Sequence, residues 1–442
     1  MTDLLKKTMC ELGRAIETEG LDPVDITSAY LDAAESHPNG TRIYARLTKD
    51  RALAEAQAAS SRAKLGVRRG LLDGVPVSWK DLFDTAGTAT EAGSALLKGR
   101  VPAHDAEMVC RASSAGLVGL GKTHMSELAF SGLGLNPITA TPPCINDAGA
   151  VSGGSSSGAA ASVAFNVAPG AIGSDTGGSV RIPAAWNDLV GLKTTAARLS
   201  LKGTVPLAAS FDTVGPLVKS VEDAAHVFAI LDGAPVVDLR GAEVKGKRFL
   251  ILESVAFDDI RAEPLAGFQS VVARLQDAGA IIERGTVKSV EQAMELSATL
   301  FPAEAYAEWR DEIEANPNAM FKPILERFRA GGAVSAVDFI SGWQKLRQYR
   351  AEYLAQTAGY DAVILPTAPI LPPNVERLLS DNEYYVTENL LALRNTRIGN
   401  LMGLTGLTLP TGVPSCGFLI QTAPNTEEKL LRLGSACESV LA

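Results

Sequence analysis

Histidine, cysteine and aromatic residues are all sparse in this sequence. Only four of its 442 residues are histidine, five are cysteine, and aromatic residues make up 6% of the chain. The cysteines are far apart and form no C-x-x-C pair, so the sequence indicates neither the ligand spacing of a zinc site nor a disulfide framework. We therefore expect free thiols in a reducing compartment and no bound metal.

Positive charge is also in short supply. Lysine and arginine total 41 against 50 aspartate and glutamate residues, which gives a formal net charge of −9. Because binding to nucleic acid depends on neutralising phosphates, this acidic balance predicts no direct nucleic-acid partner.

Long apolar runs are missing as well. A membrane-spanning helix needs about 20 predominantly apolar residues, whereas the least polar stretch, residues 156–173, is interrupted by Asn166 and Pro169. The N-terminal segment has neither the apolar run nor the small-residue cleavage site of a secretory signal. We therefore expect a soluble, cytoplasmic protein without a membrane partner.

The sequence does contain a large apolar fraction, which follows helical spacing in some segments and forms short continuous runs in others. Hydrophobic residues make up 46% of the chain, which is enough for a sizeable core. Helical spacing of apolar residues and an alanine-rich run predict helices in residues 1–65, and residues 290–358 are also mostly helical in pattern. Short apolar runs predict strands at residues 117–121, 190–192, 248–254, 280–285 and 361–366. Alternating strands and helices predict an α/β fold in which helices cover a sheet.

One phosphate-binding motif is present, but its context is wrong. Residues 116–123 match G-x-x-x-x-G-K-[ST], a loop whose backbone amides cradle phosphate when it joins a strand to a following helix. Here a helical pattern comes first and the match falls inside a predicted strand. Nucleotide binding is therefore not predicted.

A nucleophile-elbow motif, G-x-S-x-G, occurs at residues 154–158. A Ser-His-Asp enzyme of that type needs a later histidine, and the only one downstream, His226, lies in a helical pattern. Lysine is the alternative base, because burial can hold it neutral. Lys80 has apolar neighbours, which favours burial, although a solvated surface lysine is the default interpretation.

A second chemically informative segment reads Gly-Ser-Asp-Thr-Gly-Gly-Ser-Val-Arg-Ile-Pro at residues 173–183. A serine after two glycines lets successive backbone N–H groups point into one concavity, which suits a developing oxyanion. An ordinary glycine-rich turn would give the same short pattern.

Together these segments resemble the amidase signature family. The matching segments are Gly74–Asp81, Gly121–Glu127, Gly153–Gly158, Gly173–Pro183 and Val190–Lys193. Residues 210–225, 360–369 and 403–412 also look like segments of the family. Each piece alone is weak evidence, whereas their combination and the interval between Ser155 and Ser179 are specific.

The resemblance implies roles for three side chains. Ser179 would be the nucleophile that forms the acyl-enzyme, Ser155 the bridging serine, and Lys80 the base at the end of the relay. In the family the bridging serine follows a cis peptide bond, which here would join Gly154 to Ser155.

The resemblance also implies backbone contacts with the substrate. Oxyanion-hole amides would come from Thr176, Gly177, Gly178 and Ser179. Ala129 would present its carbonyl to the substrate. Asp175 and Arg181 are expected to form a structural ion pair that shapes the loop.

The fold implied by the resemblance is a single amidase signature domain over residues 1–442, with a large mixed β-sheet covered by helices. Its parts would be N-terminal helices at residues 1–65 and a signature core at residues 70–235. A helical and βα insertion would follow at residues 240–360, and residues 361–442 would complete the core. The implied chemistry requires neither a metal nor an organic cofactor.

The implied function is cleavage of the C–N bond of a small carboxylic amide to a carboxylate and ammonia. A rival is the glutamine-hydrolysing subunit of the aminoacyl-tRNA amidotransferase, which works beside partner subunits that hold a charged tRNA. Departures from the family pattern at His124, Ser152, Trp186 and residues 193–195 favour a stand-alone amidase. An inactive scaffold is a third interpretation, against which the presence of all three relay residues counts. The oligomeric state is left open, with a homodimer as one option.

Two residues outside the relay have open roles. Arg397 follows a helical pattern and could bind a substrate carboxylate through two parallel hydrogen bonds from its planar guanidinium group. The preferred interpretation, however, is a solvated arginine. Trp186 either lines the acyl pocket or packs in the core.

Overall fold

The protein is described by a computed structural model over residues 2–441. Within that range the backbone forms eleven strands that belong to one sheet. The strands are β1 (Tyr44–Leu47), β2 (Pro76–Lys80), β3 (Val118–Thr123), β4 (Ala171–Ser174), β5 (Val190–Lys193), β6 (Val214–Val218), β7 (Arg248–Leu252), β8 (Ile281–Gly285), β9 (Ala362–Pro366), β10 (Thr405–Pro410) and β11 (Gly417–Thr422).

The same range contains seventeen α-helices, which lie before, between and after the strands. They are α1 (Thr2–Lys6), α2 (Met9–Thr18), α3 (Pro23–Ser36), α4 (Gly40–Ile43), α5 (Lys49–Lys64), α6 (Glu107–Ser114), α7 (Ser157–Ala164), α8 (Arg181–Trp186), α9 (Val221–Asp232), α10 (Ala262–Asp277), α11 (Lys288–Glu295), α12 (Ser297–Ala315), α13 (Lys322–Arg329), α14 (Ala336–Thr357), α15 (Val375–Ser380), α16 (Asn382–Leu401) and α17 (Glu427–Leu441).

The sheet is mixed, and its strand order is β1-β3-β2-β4-β6-β5-β10-β11-β9-β7-β8. Strand β2 runs parallel to both β3 and β4, and β7 runs parallel to β8 and β9. The other neighbouring pairs are antiparallel. The predicted α/β fold with a large mixed sheet is therefore confirmed.

Helices cover both faces of the sheet, so several strands are buried along their whole length. Every residue of β2, β4 and β9 is buried, the pattern expected when neither face of a strand meets water. Within residues 2–441 no helix combines the length and the apolar character that crossing a membrane requires.

The parallel strands β2 and β4 bring the chemically informative segments together. Trp79 on β2 pairs with Ile172 on β4, so the carboxyl ends of the two strands lie side by side at one edge. Lys80 ends β2 and Ser174 ends β4. Side chains that follow adjacent parallel strands converge at such an edge.

The predicted elements agree with the structure in most places. The phosphate-loop match lies in strand β3 and follows helix α6, as expected. Residues 1–65 are not wholly helical, because Tyr44–Leu47 forms β1, which pairs with β3.

Candidate active site

Lys80 is completely buried at the end of β2, so the default expectation of a solvated lysine is wrong. Its ammonium nitrogen Nζ lies 2.7 Å from Ser155 Oγ and 2.8 Å from Ser174 Oγ. Both partners are hydroxyl groups, and no carboxylate within residues 2–441 forms an ion pair with Lys80. The lysine is therefore held by neutral groups that can exchange protons with it.

Burial changes the protonation of Lys80. Desolvation lowers the pKa of Lys80 to about 7, against the opposing charges of Asp175 and Asp212, which raise it. Because a buried ammonium loses its hydration, the neutral amine is favoured. Roughly half of the molecules then carry a neutral lysine at pH 7.

Ser155 lies in a loop that leads into helix α7, and the peptide bond between Gly154 and Ser155 is cis. The carbonyl of Ser155 accepts a hydrogen bond from the backbone N–H of Ser126 at 3.1 Å. Helix α7 can pack this closely because Gly158 has no side chain: a Cβ there would lie 2.5 Å from the carbonyl oxygen of Ile43.

Ser179 lies in the loop between β4 and α8, and a buried ion pair shapes that loop as predicted. Arg181 donates from Nε and Nη2 to Asp175, each at 2.9 Å, and both side chains are completely buried. Asn400 donates to the same carboxylate at 2.9 Å. Burial alone would raise the pKa of Asp175, but the Arg181 charge and these hydrogen bonds hold it below its usual range.

Helix α16 fixes the loop from the other side. The Thr396 hydroxyl donates to the carbonyl of Gly177 at 2.8 Å. Gly178 adopts a φ of 144°, and a Cβ there would lie only 2.1 Å from Thr396 Oγ1. Glycine is therefore required at this position both by the backbone conformation and by the close approach.

The predicted oxyanion-hole amides have no internal acceptor. Within the described part of the chain, the backbone N–H groups of residues 176–179 donate to no protein atom. The Thr176 side chain is occupied, because its hydroxyl donates to Asp212. Four consecutive free amides beside a serine can stabilise an anionic oxygen.

A cavity of about 340 Å³ opens beside the loop. Four predicted site residues line it, namely Ala129, Thr176, Gly177 and Ser179. Gly178 is not part of the lining. Lys80 and Ser155 are completely buried and do not line the cavity, so of the three residues predicted to form the relay, Ser179 is the one in contact with it.

One hydrogen bond of the predicted relay is not formed in this structure. The backbone N–H of Ser156 donates to the carbonyl of Ser179 at 3.2 Å, which places the two loops side by side. No hydrogen bond within residues 2–441 joins the hydroxyls of Ser155 and Ser179. Catalytic hydrogen bonds often tighten only when substrate is bound.

The structure also decides the two open roles. Arg397 is only 9% exposed and lines the cavity, so the preferred expectation of a solvated arginine is wrong. Its position on α16, whose inner face covers the cavity, buries it. Trp186 is a core residue: it is completely buried, and its indole N–H donates to the carbonyl of Ile370 at 3.1 Å.

Some residues of the site escaped the sequence analysis. Ser174 and Asp212 lie inside segments that carry the resemblance, and their neighbours Lys80 and Thr176 could have drawn attention to them. Arg327, on α13, also lines the cavity. No local sequence pattern marks it, because its helix reaches the site only through the tertiary fold.

One cluster of metal-ligating types lies away from the cavity. The ligand atoms of Cys10, Glu222 and His226 all lie within 4.8 Å of one another, the one such group within residues 2–441. Burial and the charge of Asp223 raise the pKa of the Cys10 thiol, and Arg14 already donates to both oxygens of Glu222. The Glu222 carboxylate is therefore already engaged by Arg14, and the Cys10 thiol stays protonated.

Known proteins resemble the chain over most of its length. A family model described as Amidase matches residues 25–431. The chain is 33% identical to the 2-amino-5-chloromuconic acid deaminase of Comamonas testosteroni, over 90% of this chain and 89% of that protein. It is 30% identical to a glutamyl-tRNA(Gln) amidotransferase subunit of Acidothermus cellulolyticus, over 99% and 95% respectively. A crystal structure of an amidase superposes with a TM-score of 0.87 at 28% identity, covering 99% of this chain and all of that one.

The chain therefore belongs to the amidase family, and the predicted resemblance is confirmed. It is a hydrolase that acts on amide C–N bonds.

Proposed function

We propose that this chain cleaves a small carboxylic amide to a carboxylate and ammonia, using Ser179 as nucleophile and Ser155 and Lys80 as its proton relay. The observation that carries the proposal is the 2.7 Å contact between Lys80 Nζ and Ser155 Oγ in a fully buried site. A lysine with a pKa of about 7 can accept a proton at neutral pH.

The reaction follows from the order of these groups. Neutral Lys80 takes the proton of the Ser155 hydroxyl, and Ser155 takes that of Ser179. The Ser179 oxygen then attacks the amide carbon, and the free amides of residues 176–179 stabilise the oxyanion. The relay returns a proton to the nitrogen as the C–N bond breaks, so ammonia leaves. Water then attacks the acyl-enzyme by the reverse route and releases the carboxylate.

The test combines turnover with covalent labelling of Ser179. Ser179→Ala should lose at least about 1,000-fold in kcat for ammonia release while remaining folded, since the oxygen that forms the acyl-enzyme is removed. Ser152→Ala is the matched control, because Ser152 is a buried serine of the neighbouring loop, which contains Ser155, and its hydroxyl donates to the carbonyl of Ser157. A fluorophosphonate probe should add to Ser179 of the wild type. Substantial turnover by purified Ser179→Ala, or absence of the adduct, would reject the assignment.

A second candidate is a glutamine-hydrolysing component of an amidotransferase. It is supported by the 30% identity to a glutamyl-tRNA(Gln) amidotransferase subunit over nearly the whole chain. The two functions differ in their need for partners. Purified chain alone should release ammonia from small amides if it acts independently, whereas activity on glutamine only with added partner subunits would favour the second candidate.

A further inference from the structure

Two arginines line the cavity from helices outside the segments that contain Lys80, Ser155 and Ser179. Arg327 lies on α13 and Arg397 on α16, and both line the same cavity as Ser179. They are close enough for the charge of Arg327 to lower the pKa of Arg397. Residue 397 directly follows Thr396, which holds the carbonyl of Gly177. The same turn of helix thus supports the nucleophile loop and carries a guanidinium into the cavity.

Neither guanidinium has an acidic partner. Within residues 2–441 no hydrogen bond or ion pair is formed by Arg397, and Arg327 lies over the face of the Phe130 ring, at 4.4 Å from its centre. Most surface arginines of this chain, in contrast, form ion pairs, such as Arg329 with Glu314.

The acidic residues around the cavity are already engaged. Glu127 accepts from the Ser94 hydroxyl and from the backbone N–H of Phe321. Asp212 accepts from Thr176 and from the backbone of residues 207 and 208. Asp175 is bound to Arg181. Glu326 also borders the cavity, but it is exposed and lies 3.7 Å from the ammonium group of Lys322.

Two unpaired cations in a mostly apolar cavity are costly without an anion. Desolvation lowers the pKa of Arg327 to about 10, and desolvation together with Arg327 lowers that of Arg397 to about 9. Both values lie above neutral pH, so both side chains stay charged. A buried charge is normally paired and hydrogen-bonded, and guanidinium groups bind carboxylates through parallel N–H···O bonds.

We propose that Arg327 and Arg397 bind a carboxylate of the substrate, so that the preferred substrate is the monoamide of a short dicarboxylic acid. This inference rests on the proposed function. The carboxylate belongs to the acyl part, because the departing ammonia carries no anionic group. Apolar side chains, including Leu207, Phe301 and Leu393, line the space around Ser179. They suit the carbon chain that joins the carboxylate to the reacting amide.

The test compares charged and neutral amides of equal length. Ammonia release is measured for the monoamides of malonic, succinic, glutaric and adipic acids and for unbranched neutral amides of the same carbon number. We expect the wild type to prefer at least one monoamide by tenfold or more in kcat/KM. Arg397→Gln should reduce that kcat/KM by about 10- to 100-fold more than it reduces the value for the neutral amide. Arg397→Lys should reduce kcat/KM for the monoamide less than Arg397→Gln does. Lysine keeps the positive charge but lacks the planar guanidinium that binds a carboxylate through two parallel hydrogen bonds.

A matched control comes from helix α12, which also borders the cavity. Arg310 is exposed and donates a hydrogen bond to the neighbouring Asp311. Arg310→Gln should leave the preference for the monoamide unchanged.

A binding measurement separates this inference from the proposed function. With Ser179→Ala, malonate, succinate, glutarate and adipate are tested in turn, and at least one of them should raise the unfolding temperature, whereas inorganic phosphate and sulfate should not. The added Arg397→Gln change should abolish the effect. Equal losses for charged and neutral amides in Arg397→Gln, or no effect of any of the four dicarboxylates, would overturn the carboxylate site. If one of them binds through Arg397 but the wild type hydrolyses no amide, the site stands and the proposed function falls.

Discussion

The protonation state of Lys80 should control the rate of amide hydrolysis. Since burial lowers the pKa of Lys80 to about 7, the active neutral form should fall tenfold for each pH unit below that value. At pH 5 about 1% of the molecules would be active, which corresponds to a roughly 100-fold lower kcat/KM than on the plateau above pH 8. Asp212 shifts the midpoint, because its negative charge favours the ammonium form. Asp212→Asn should therefore move the midpoint toward lower pH, by about one unit.

The assay is ammonia release from a neutral amide between pH 5 and 9 at constant ionic strength, so that the substrate itself does not titrate. Each sample is returned to pH 8 to verify that the enzyme has not been inactivated. Asp212 also holds Thr176, so Asp212→Asn can change the height of the profile, and the position of its midpoint is the decisive quantity. A kcat/KM independent of pH between 5 and 8, or a midpoint that rises in Asp212→Asn, would refute the proposed role of Lys80.

Two further predictions concern stability and loop geometry. Because the folded pKa of Lys80 lies below that of an unfolded lysine, the unfolded chain binds more protons between about pH 7 and 10, and wild-type stability rises with pH there. The difference in unfolding free energy between wild type and Lys80→Met should therefore increase by about 2–3 kcal/mol from pH 7 to pH 9. Urea titrations at each pH measure this difference, and a difference that stays constant would contradict the lowered pKa of Lys80. Gly178→Ala should lower kcat by at least about 100-fold, since its Cβ would clash with Thr396. Gly177→Ala is the stability control for Gly178→Ala, because a Cβ at residue 177 would meet only Leu393, at 3.5 Å. Wild-type turnover in Gly178→Ala would show that the loop need not keep this shape.

The three lysines that are buried within residues 2–441 show why the site needed the tertiary structure. Lys122 donates to the carbonyl of Phe83 and to the Thr90 hydroxyl, and it lies 3.4 Å from Asp81. Lys193 donates to two backbone carbonyls. Lys80, in contrast, donates to hydroxyl groups alone, those of Ser155 and Ser174. Carbonyl and carboxylate partners hold an ammonium group in place, whereas a hydroxyl can pass on a proton. Composition alone cannot tell these environments apart.

Local patterns predicted strands β3, β5, β7, β8 and β9 and many of the helices, because periodicity and glycine or proline positions act over a few residues. Strands β4, β6, β10 and β11 were not predicted as strands. Strand β1 was also missed, because it is short, lies between helices and is formed by pairing with β3, distant in sequence. The strand order of the sheet was also beyond local patterns, since neighbours such as β5 and β10 are more than 200 residues apart.

The sequence by itself determined the fold class, the family, and the segments that contain Lys80, Ser155 and Ser179, because these depend on residue types at short, recognisable spacings. Only the tertiary structure decided that Lys80 is buried against hydroxyl groups and that Arg327 and Arg397 meet in one cavity without acidic partners. Burial and charge pairing depend on which distant segments surround a side chain, and a sequence pattern does not specify those neighbours.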